Sequence, residues 1–405
     1  MPASPCDERE EMVEMTASTD ARSVPPVVRS RQELMDRGIP FPPPATPETA
    51  LPLVASGATY QMAQKLAWLD DDHFAVGRWD GSMSVFRFTD SPTAGPLISK
   101  AVNTPAFQGV RMLAPLPGAV LVTSNDDRSL TLWHSPGTTW TDLLPLRTVP
   151  YDPRLGPATS GRGVRAGSPH TLAVGHTTGH LSLWHYDPAA RDLTFSRSVD
   201  LRNPDPVNPW NLHDINATEV LTEVLPEVFT DAHGTALVVT GSEDGYVCVV
   251  HVPSGDIVSQ TVFNPTAERG INALSVQGGA LLVANCSVGP EDHNLWYFTF
   301  DEKSWHPALR DRVNLIVDPR RPQAFNFSIV TGAYAHGPCW FSSTEEGALW
   351  MGTTDASSLK VLGYKQVTSP LGAALGYRGR PGRLAMVAHD LYEFETGAEQ
   401  PPAPR

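Results

Sequence analysis

The chain has 405 residues, with 44 acidic against 30 basic side chains and a formal net charge of −14 at pH 7. This negative charge opposes general attraction to nucleic-acid phosphates and anionic membrane surfaces, so we expect neither nucleic acid nor a membrane among the partners. Hydrophobic residues make up 41% of the chain, which is enough for a core, while 38 prolines and 32 glycines indicate many turns and few long helices. The composition therefore favours an all-β protein.

Cysteine usage and the start of the chain bear on its compartment. The four cysteines, at positions 6, 248, 286 and 339, form no C-x-x-C pair, which argues against a thiolate zinc site and a disulfide framework. The N-terminus has no basic start followed by an apolar run, and no apolar stretch reaches the roughly 20 residues of a membrane span. We therefore expect a cytoplasmic protein, with the nucleus as the open alternative.

The two ends of the chain differ from its middle. Residues 1–50 combine an acidic cluster at 7–11, several arginines and the run PFPPPATP, with few apolar groups to offset the entropy of ordering. They predict a flexible proline-rich tail. Residues 399–405, a second short segment rich in proline, predict a C-terminal tail.

From about residue 51 one pattern repeats: an apolar strand, a turn, an apolar strand, a tight turn and an alternating strand. The fullest copy is PEVFTDAHGTALVVTGSEDGYVCVVHV at 226–252, and SLTLWH at 129–134 returns as HLSLWH at 180–185. Seven copies are visible, and their second turns are marked by Asp80, Asp127, Thr178, Asp244, Asp292, Glu346 and His389. The intervals are 47, 51, 66, 48, 54 and 43 residues. Propeller blades of four strands repeat every ~40 to 50 residues, so the longer intervals indicate loop insertions.

The repeat also predicts how the strands are arranged. Alternating apolar residues on both sides of each second turn are typical of strands with two unlike faces, and Asp-Gly at 80/81 and 244/245 indicates tight hairpins. A single four-stranded sheet cannot bury its apolar faces, whereas a closed ring can. We therefore predict an all-β, seven-bladed β-propeller of four-stranded antiparallel blades over residues 51–398. Because little chain follows the last copy, we expect LPLVASG at 51–57 to supply the outer strand of the last blade and close the ring.

The repeats resemble the WD-repeat family of β-propellers over about residues 51–396. The resemblance rests on GSEDGYVCVVHV at 241–252 and on Trp133 and Trp184, which stand where the family places its third-strand tryptophan. His134 and His185 replace the family's Asp, and the Gly-His dipeptide that usually opens each repeat is missing from that position. The family's hydrogen-bond tetrad is therefore not expected in most blades, while the resemblance still implies an interaction scaffold.

One set of candidate partner-binding residues occupies the same third-strand site in four repeats: Arg87, His134, His185 and His251. Because third strands lie well outside a propeller axis, these groups are too dispersed to share a metal ion. One prediction is that these side chains form a collar whose positive charge increases near pH 6. The alternative is that each side chain bonds a neighbouring blade or is exposed to water. Trp210, in the proline-rich insertion at 202–220, is a further candidate contact, with folding back over the blade edge as the alternative.

A second set of candidates ends the predicted second strands at aligned positions: Arg78, Asn125, His176 and Ser242. They predict a polar rim at the mouth of the central channel.

His176 and His180 would share a metal only on a helix, and a hairpin turn is expected there, so we predict no metal site. Asp70 to Asp72 indicate a solvated turn, with a cation site as the alternative. The pair Arg320–Arg321 lacks the apolar residue and the glycine of a phosphoinositide-binding motif, so we expect a basic loop there.

These patterns contain no catalytic constellation. Ser242 lies in GSEDG, which is not G-x-S-x-G, and no strand-to-helix elbow follows it. We therefore predict a non-catalytic protein–protein interaction scaffold, a subunit of a multiprotein complex, with protein or peptide partners and no cofactor. The alternative is an enzyme or small-molecule binder that uses the central channel and its polar rim.

Overall fold

Twenty-eight β-strands in seven sheets of four make up the part of the chain that the computed structural model describes. The described residues are 53–58, 63–88, 95–103, 109–137, 139–164, 170–204, 212–221, 236–264, 270–277, 279–285, 293–301, 304–317, 324–334, 337–367, 373–378, 382–388 and 390–396. Each sheet is antiparallel and forms one blade. The seven-bladed fold predicted from the repeats is confirmed.

The first three complete blades follow one another in the chain, each from its innermost to its outermost strand. Before blade 1 stands β1 (Leu53–Ala58). The strands of blade 1 are β2 (Ala63–Trp68), β3 (His73–Arg78), β4 (Ser82–Arg87) and β5 (Ile98–Ala101). Those of blade 2 are β6 (Leu113–Leu116), β7 (Val120–Asn125), β8 (Ser129–His134) and β9 (Leu144–Pro150). Those of blade 3 are β10 (Ala158–Val164), β11 (His170–His176), β12 (His180–Asp187) and β13 (Asp192–Asp200).

The remaining blades keep the same order. Blade 4 contains β14 (Ile215–Val220), β15 (Leu237–Ser242), β16 (Tyr246–His251) and β17 (Asp256–Val262). Blade 5 contains β18 (Ile271–Gln277), β19 (Ala280–Asn285), β20 (Leu295–Phe300) and β21 (Pro307–Val313). Blade 6 contains β22 (Asn326–Tyr334), β23 (Gly337–Thr344), β24 (Ala348–Thr354) and β25 (Leu359–Gln366). Blade 7 contains β26 (Ala374–Arg378), β27 (Arg383–Val387) and β28 (Asp390–Glu395).

The ring is closed through its innermost strands. Each first strand contacts the first strand of the next blade, and β26 of blade 7 contacts β2 of blade 1. The core is divided in the same way, because each of seven clusters of buried side chains lies between two neighbouring blades. In the cluster between blades 2 and 3, Leu130 and Leu132 pack with Trp184 and Tyr186. Every blade therefore depends on both neighbours for its burial.

The N-terminal strand joins the sheet of the last blade. Strand β1 pairs antiparallel with β28, which makes it the outermost strand of blade 7. We predict that this pairing holds the ring together, and truncation of β1 tests the prediction. The predicted tails, 1–50 and 399–405, lie outside the described residues, and the proposed domain boundaries stay predictions.

The tight turn between second and third strands recurs with one conformation. Gly81, Gly179, Gly245 and Gly347 all have positive φ, between 75° and 80°. Blade 2 has Arg128 at the equivalent position, with φ of 65°. A β-carbon at Gly81 would lie 2.5 Å from the carbonyl oxygen of Asn103, so that site requires glycine for space as well. The Asp-Gly hairpins predicted at 80/81 and 244/245 are confirmed.

Candidate functional site

The predicted channel-mouth residues all end the second strand of their blade: Arg78, Asn125, His176 and Ser242. Three of them bond to a hydroxyl six residues later, on the third strand of the same blade. The hydroxyl belongs to Ser84 in blade 1 (2.8 Å), Thr131 in blade 2 (2.7 Å) and Ser182 in blade 3 (2.8 Å). The structure therefore commits these groups to bonds inside separate blades and does not bring them to one another.

In two of these blades the hydrogen bonds continue outward. The Ser84 hydroxyl lies 2.6 Å from the hydroxyl of Ser99, and the Thr131 hydroxyl lies 3.0 Å from that of Thr148. Both partners are on the fourth strand. Hydrogen bonds thus connect the second, third and fourth strands and satisfy the buried hydroxyls of Ser84 and Thr131, while Arg78 Nε has no partner among the described residues.

Blade 3 contains a hydrogen-bonded chain that runs from a tryptophan to a histidine. Trp184 Nε1 donates to the hydroxyl of Ser182 over 2.9 Å, and that hydroxyl lies 2.8 Å from Nε2 of His176. His176 Nδ1 lies 3.3 Å from the carbonyl oxygen of Gly156, which can only accept, so Nδ1 carries the proton and Nε2 accepts from Ser182.

The imidazole of His176 is fully buried, with the ring of Tyr151 against it at 5.0 Å between centroids. Burial lowers the pKa of His176 to about 4, although the bond to the Gly156 carbonyl opposes the shift. The residue is therefore neutral at pH 7 and acts as a structural hydrogen-bond partner. The turn predicted between His176 and His180 is confirmed, because β11 ends at the first and β12 begins at the second.

Ser242 belongs to a different arrangement around a buried carboxylate. Its hydroxyl donates to Asp244, and His213 Nδ1 bonds the other carboxylate oxygen over 2.7 Å. The backbone N–H of Asn203 donates to the same oxygen over 2.9 Å. The carboxylate thus ties the loop that enters blade 4 to the turn between β15 and β16. Sequence analysis missed His213, although its place two residues before β14 was a usable signal.

The predicted third-strand collar has four unlike environments. Arg87 and His185 are exposed, and His251 Nδ1 bonds the hydroxyl of Ser254 over 2.6 Å. His134 is buried, with Arg191 of blade 3 at 3.3 Å from its Nδ1. Burial, together with the positive charge of Arg191, lowers the pKa of His134. His134 therefore takes up a proton less readily than an ordinary histidine.

The acidic turn at Asp70 to Asp72 joins three blades. Asp70 accepts a hydrogen bond of 2.8 Å from Trp140 Nε1 of blade 2. Asp71 pairs with Arg378 of blade 7 at 2.7 Å, and Asp72 pairs with Arg383 of the same blade. Arginine side chains of blade 7 thus pair with two of the three carboxylates of this turn.

A bulge recurs in the first strands of several blades and points a side chain at the next blade. The ladder shifts register around Thr159, Asn216 and Asn272. Each of these side chains donates to a carbonyl of the following first strand: Thr159 to Ile215 (2.7 Å), Asn216 to Ile271 (3.1 Å) and Asn272 to Asn326 (2.9 Å). These bonds link blades 3 to 6 around the channel, which is a common use of bulges to re-aim a side chain.

Asn216 also accepts hydrogen bonds from two cationic side chains that belong to other blades. Lys65 of blade 1 donates to the Asn216 carbonyl over 3.0 Å. Arg111, which precedes β6 of blade 2, reaches Asn216 Oδ1 at 3.2 Å and Asp214 Oδ2 at 3.1 Å. Blades 1 and 2 do not neighbour blade 4, so Lys65 reaches it past blades 2 and 3, and Arg111 reaches it past blade 3.

A further ion pair joins the innermost strands of blades 3 and 4. Arg162 of blade 3 binds Glu219 of blade 4 through two hydrogen bonds of 3.1 and 2.6 Å. Desolvation, followed by repulsion from Arg111, lowers the pKa of Lys65 to about 8. Burial raises the pKa of Asp214 despite its pairing with Arg111. Sequence analysis did not single out any of these residues, because they come from four separate repeats.

Other predicted features lie partly or wholly outside the described residues. Trp210 and the Arg320–Arg321 pair are not described. Among the residues that are described, no group of three or more His, Cys, Asp or Glu side chains is placed to hold a metal ion. The same residues include no helix with the length and apolar character needed to cross a bilayer.

Comparison with known proteins identifies the fold. No protein-family model matches the chain, and no curated protein matches it either. Solved structures do match. The β-propeller domain of Cps50 (Swd1) from Myceliophteria thermophila has a TM-score of 0.58 at 14% identity, with 85% of this chain and 99% of that chain covered.

Two further structures agree. The WD40 β-propeller domain of Doa1 has a TM-score of 0.57 at 12% identity, over 87% of this chain and 98% of that one. The WD40 domain of Neurospora crassa Pan2 has a TM-score of 0.58 at 11% identity, over 86% and 96%. At such identities the likeness concerns the fold alone, and it agrees with the resemblance in the repeats: this chain is similar to WD40 β-propeller domains and has their fold.

Proposed function

We propose that the chain is a non-catalytic interaction scaffold that binds protein or peptide partners as a cytoplasmic subunit of a multiprotein complex. The observation that carries the proposal is where its exposed apolar side chains stand. Among the described residues, the large hydrophobic side chains that are exposed all lie on or beside the outermost strands of blades 1 to 5. They are Leu97, Leu144, Leu146, Phe195, Ile257, Val258 and Leu309. Exposed apolar groups at a rigid edge are typical of protein-binding surfaces.

The arrangement of serine, histidine and acid groups also supports a non-catalytic role. Around Asp244 the carboxylate stands between Ser242 and His213, and around Ser254 the serine stands between His251 and Asp256. Nucleophilic catalysis needs the histidine in the middle, where it takes the serine proton while the acid orients the ring. In neither set can the imidazole do so.

An affinity purification from the native cells tests the scaffold. The tagged chain is compared with Trp210→Ala, with Phe195→Ala and with a chain that lacks residues 1–50, and co-purifying proteins are quantified by mass spectrometry. Thr139→Ala, a change at an exposed turn outside these surfaces, is the matched control. We expect a stoichiometric partner that the control retains and at least one of the other variants loses.

Two results would count against the scaffold. Repeated recovery of the soluble chain alone would remove its main support. A partner that every variant retains equally would show that Trp210, Phe195 and residues 1–50 are not needed to bind it, and would favour the central channel as the binding site.

A further inference from the structure

Among the described residues, charge along the innermost strands is denser on blades 1 to 4 than on blades 5 to 7. On blades 1 to 4, the innermost strands and the residues just before them contribute Lys65, Arg111, Arg162, Asp214 and Glu219. On blades 5 to 7, strands β18, β22 and β26 contain no charged residue before Arg378. Arg378 ends its strand and is held by Asp71. In the described part of the chain, the charged groups of the innermost strands are therefore concentrated on blades 1 to 4, and Arg269, two residues before β18, lies outside that part.

Part of this charged group is open to solvent. The side chain of Arg162 is 42% exposed and that of Glu219 is 24% exposed, although both belong to innermost strands. An innermost strand faces the channel, so this exposed surface borders channel space. A small molecule can therefore reach these groups.

The ammonium of Lys65 has hydrogen-bonding capacity left over. It carries three N–H donors, and within the described residues its acceptor is the carbonyl of Asn216. No described carboxylate lies within ion-pair distance of it. The carboxylates around its partner Asn216 are engaged by other groups: Asp214 by Arg111, Glu219 by Arg162 and Glu243 by the side-chain amide of Asn216.

Burial is the main reason that the pKa of Lys65 is lowered, and neighbouring cations add to the effect. Arg111 and Arg162 both lower the pKa of the ammonium, and Glu219 is the one nearby group that raises it. The cation thus stands in a repulsive field inside a chain with a net charge of −14. Cations brought together in this way in a confined channel can attract an anion to the donors that remain unused.

We propose that Lys65, with the guanidinium groups of Arg111 and Arg162 beside it, forms a carboxylate-binding site in the central channel. The carboxylate belongs either to a small polycarboxylic acid or to an acidic side chain that a partner inserts into the channel. It accepts the spare N–H donors of Lys65 and offsets the repulsion among the three cations. This site goes beyond the scaffold function and does not depend on it.

Competitive acylation of the full chain tests the site. Acetic anhydride at pH 8 labels free amines, and peptide mapping by mass spectrometry follows Lys65 with Lys360 as an internal control, since Lys360 is exposed and paired with Asp355. Citrate and an N-acetylated hexaglutamate peptide are the two probes. For a Kd of about 1 mM, about 10 mM citrate should slow labelling of Lys65 about tenfold and leave Lys360 unchanged.

Two variants test whether protection of Lys65 from acetylation depends on the proposed cations. Arg162→Gln removes one cation and leaves the Glu219 carboxylate facing the site, so protection should fall to less than about twofold. Lys65→Met keeps the length of the side chain without its charge, and calorimetry with citrate should detect binding to the wild-type chain and none to this variant. Thermal unfolding of both variants reports whether they are folded.

Each outcome decides. Protection by citrate supports a free anion as ligand, and protection by the peptide alone supports an acidic side chain of a partner. Equal protection of Lys65 and Lys360, protection by neither probe, or no labelling of Lys65 without a probe would overturn the site. Calorimetric binding that survives Lys65→Met would overturn it as well.

Discussion

Arg111 of blade 2 and Asp214 of blade 4 form an ion pair across the front of blade 3, with 3.1 Å between Nη2 and Oδ2. Both side chains are about four-fifths buried. The two blades share no sheet-to-sheet interface, because blade 3 stands between them. The pair therefore couples parts of the ring that packing between neighbours does not connect.

Loss of Arg111 should be more costly than loss of the Asp214 charge. In Arg111→Met, the Asp214 carboxylate and the Asn216 side-chain oxygen each lose a donor, and we expect about 2 kcal/mol of destabilisation. Asp214→Asn keeps an acceptor for Arg111, and burial already opposes the charge of Asp214, so its cost should stay below about 1 kcal/mol. Chemical denaturation of both variants and of the double variant measures these costs. Equal costs would contradict the asymmetry.

The buried His176 should make stability depend on acid pH. Its pKa is about 4 in the folded chain and 6.5 as a model value. As the pH falls from about 6.5 to about 4, the unfolded chain takes up this proton while the folded chain does not. Folding stability is therefore lost over that window, by up to about 3 kcal/mol from this one group.

Urea denaturation at pH 7 and at pH 4.5 tests that dependence in the wild-type chain and in His176→Gln. The variant is expected to lose less stability between the two pH values than the wild type, because it has no proton to gain at this site. Ser182→Ala, which breaks the Trp184–Ser182–His176 chain, should cost about 1 to 3 kcal/mol already at pH 7. Parallel pH profiles in wild type and His176→Gln would refute the assignment.

Arg128 occupies a turn position that glycine fills in four other blades. Its φ of 65° is unfavourable for a residue with a side chain. We expect Arg128→Gly to stabilise the chain by about 0.5 to 1 kcal/mol, since relief of the strain at positive φ outweighs both the larger entropy of glycine in the unfolded chain and the lost bond from Arg128 Nη1 to the Asp126 carbonyl. The matched control is Gly245→Ala, at the equivalent turn of blade 4, where φ of 78° should make the substitution destabilising. Thermal unfolding measures both, and a lower Tm for Arg128→Gly would contradict this account.

Strand β1 should hold the ring at the junction of the chain ends. A chain that starts at residue 59 exposes the edge of β28, and its Tm should fall on the order of 5 to 10 °C. A chain that starts at residue 51 keeps β1, so its Tm should lie within about 1 °C of the wild type. Differential scanning calorimetry of the two truncated chains compares them. Equal Tm values would mean that the innermost strands close the ring without β1.

Turn chemistry explains why the fold could be predicted from sequence. Asp80–Gly81 and Asp244–Gly245 fix hairpins locally, since glycine accepts a positive φ and the flanking alternation sets which strand faces are apolar. The repeated spacing then gives the blade count. The sequence NATEV at 216–220 is compatible with either a short helix or a strand, and the structure makes it part of β14. Packing against blades 3 and 5 decides that outcome, which local propensity leaves open.

The candidate site was less predictable for a different reason. Alignment of repeats correctly placed His176 at the end of its strand, but its partner could equally have been a ligand, a metal or a hydroxyl six residues later. The choice follows from burial: the closed interface between blades leaves Ser182 as the group within reach of Nε2. The channel residues Lys65 and Arg111 gave no signal, because their partners lie 151 and 103 residues away in the chain.

The sequence by itself determined the number of blades, the order of their strands and the turns between them, because each of these is written in residues close together in the chain. Tertiary structure decided which polar groups meet. The channel pairs and the bonds from each bulge to the next blade join residues from separate repeats, and only closure of the ring brings them within hydrogen-bond distance. A repeat pattern records how one blade folds, whereas the electrostatics of the channel depend on all the blades at once.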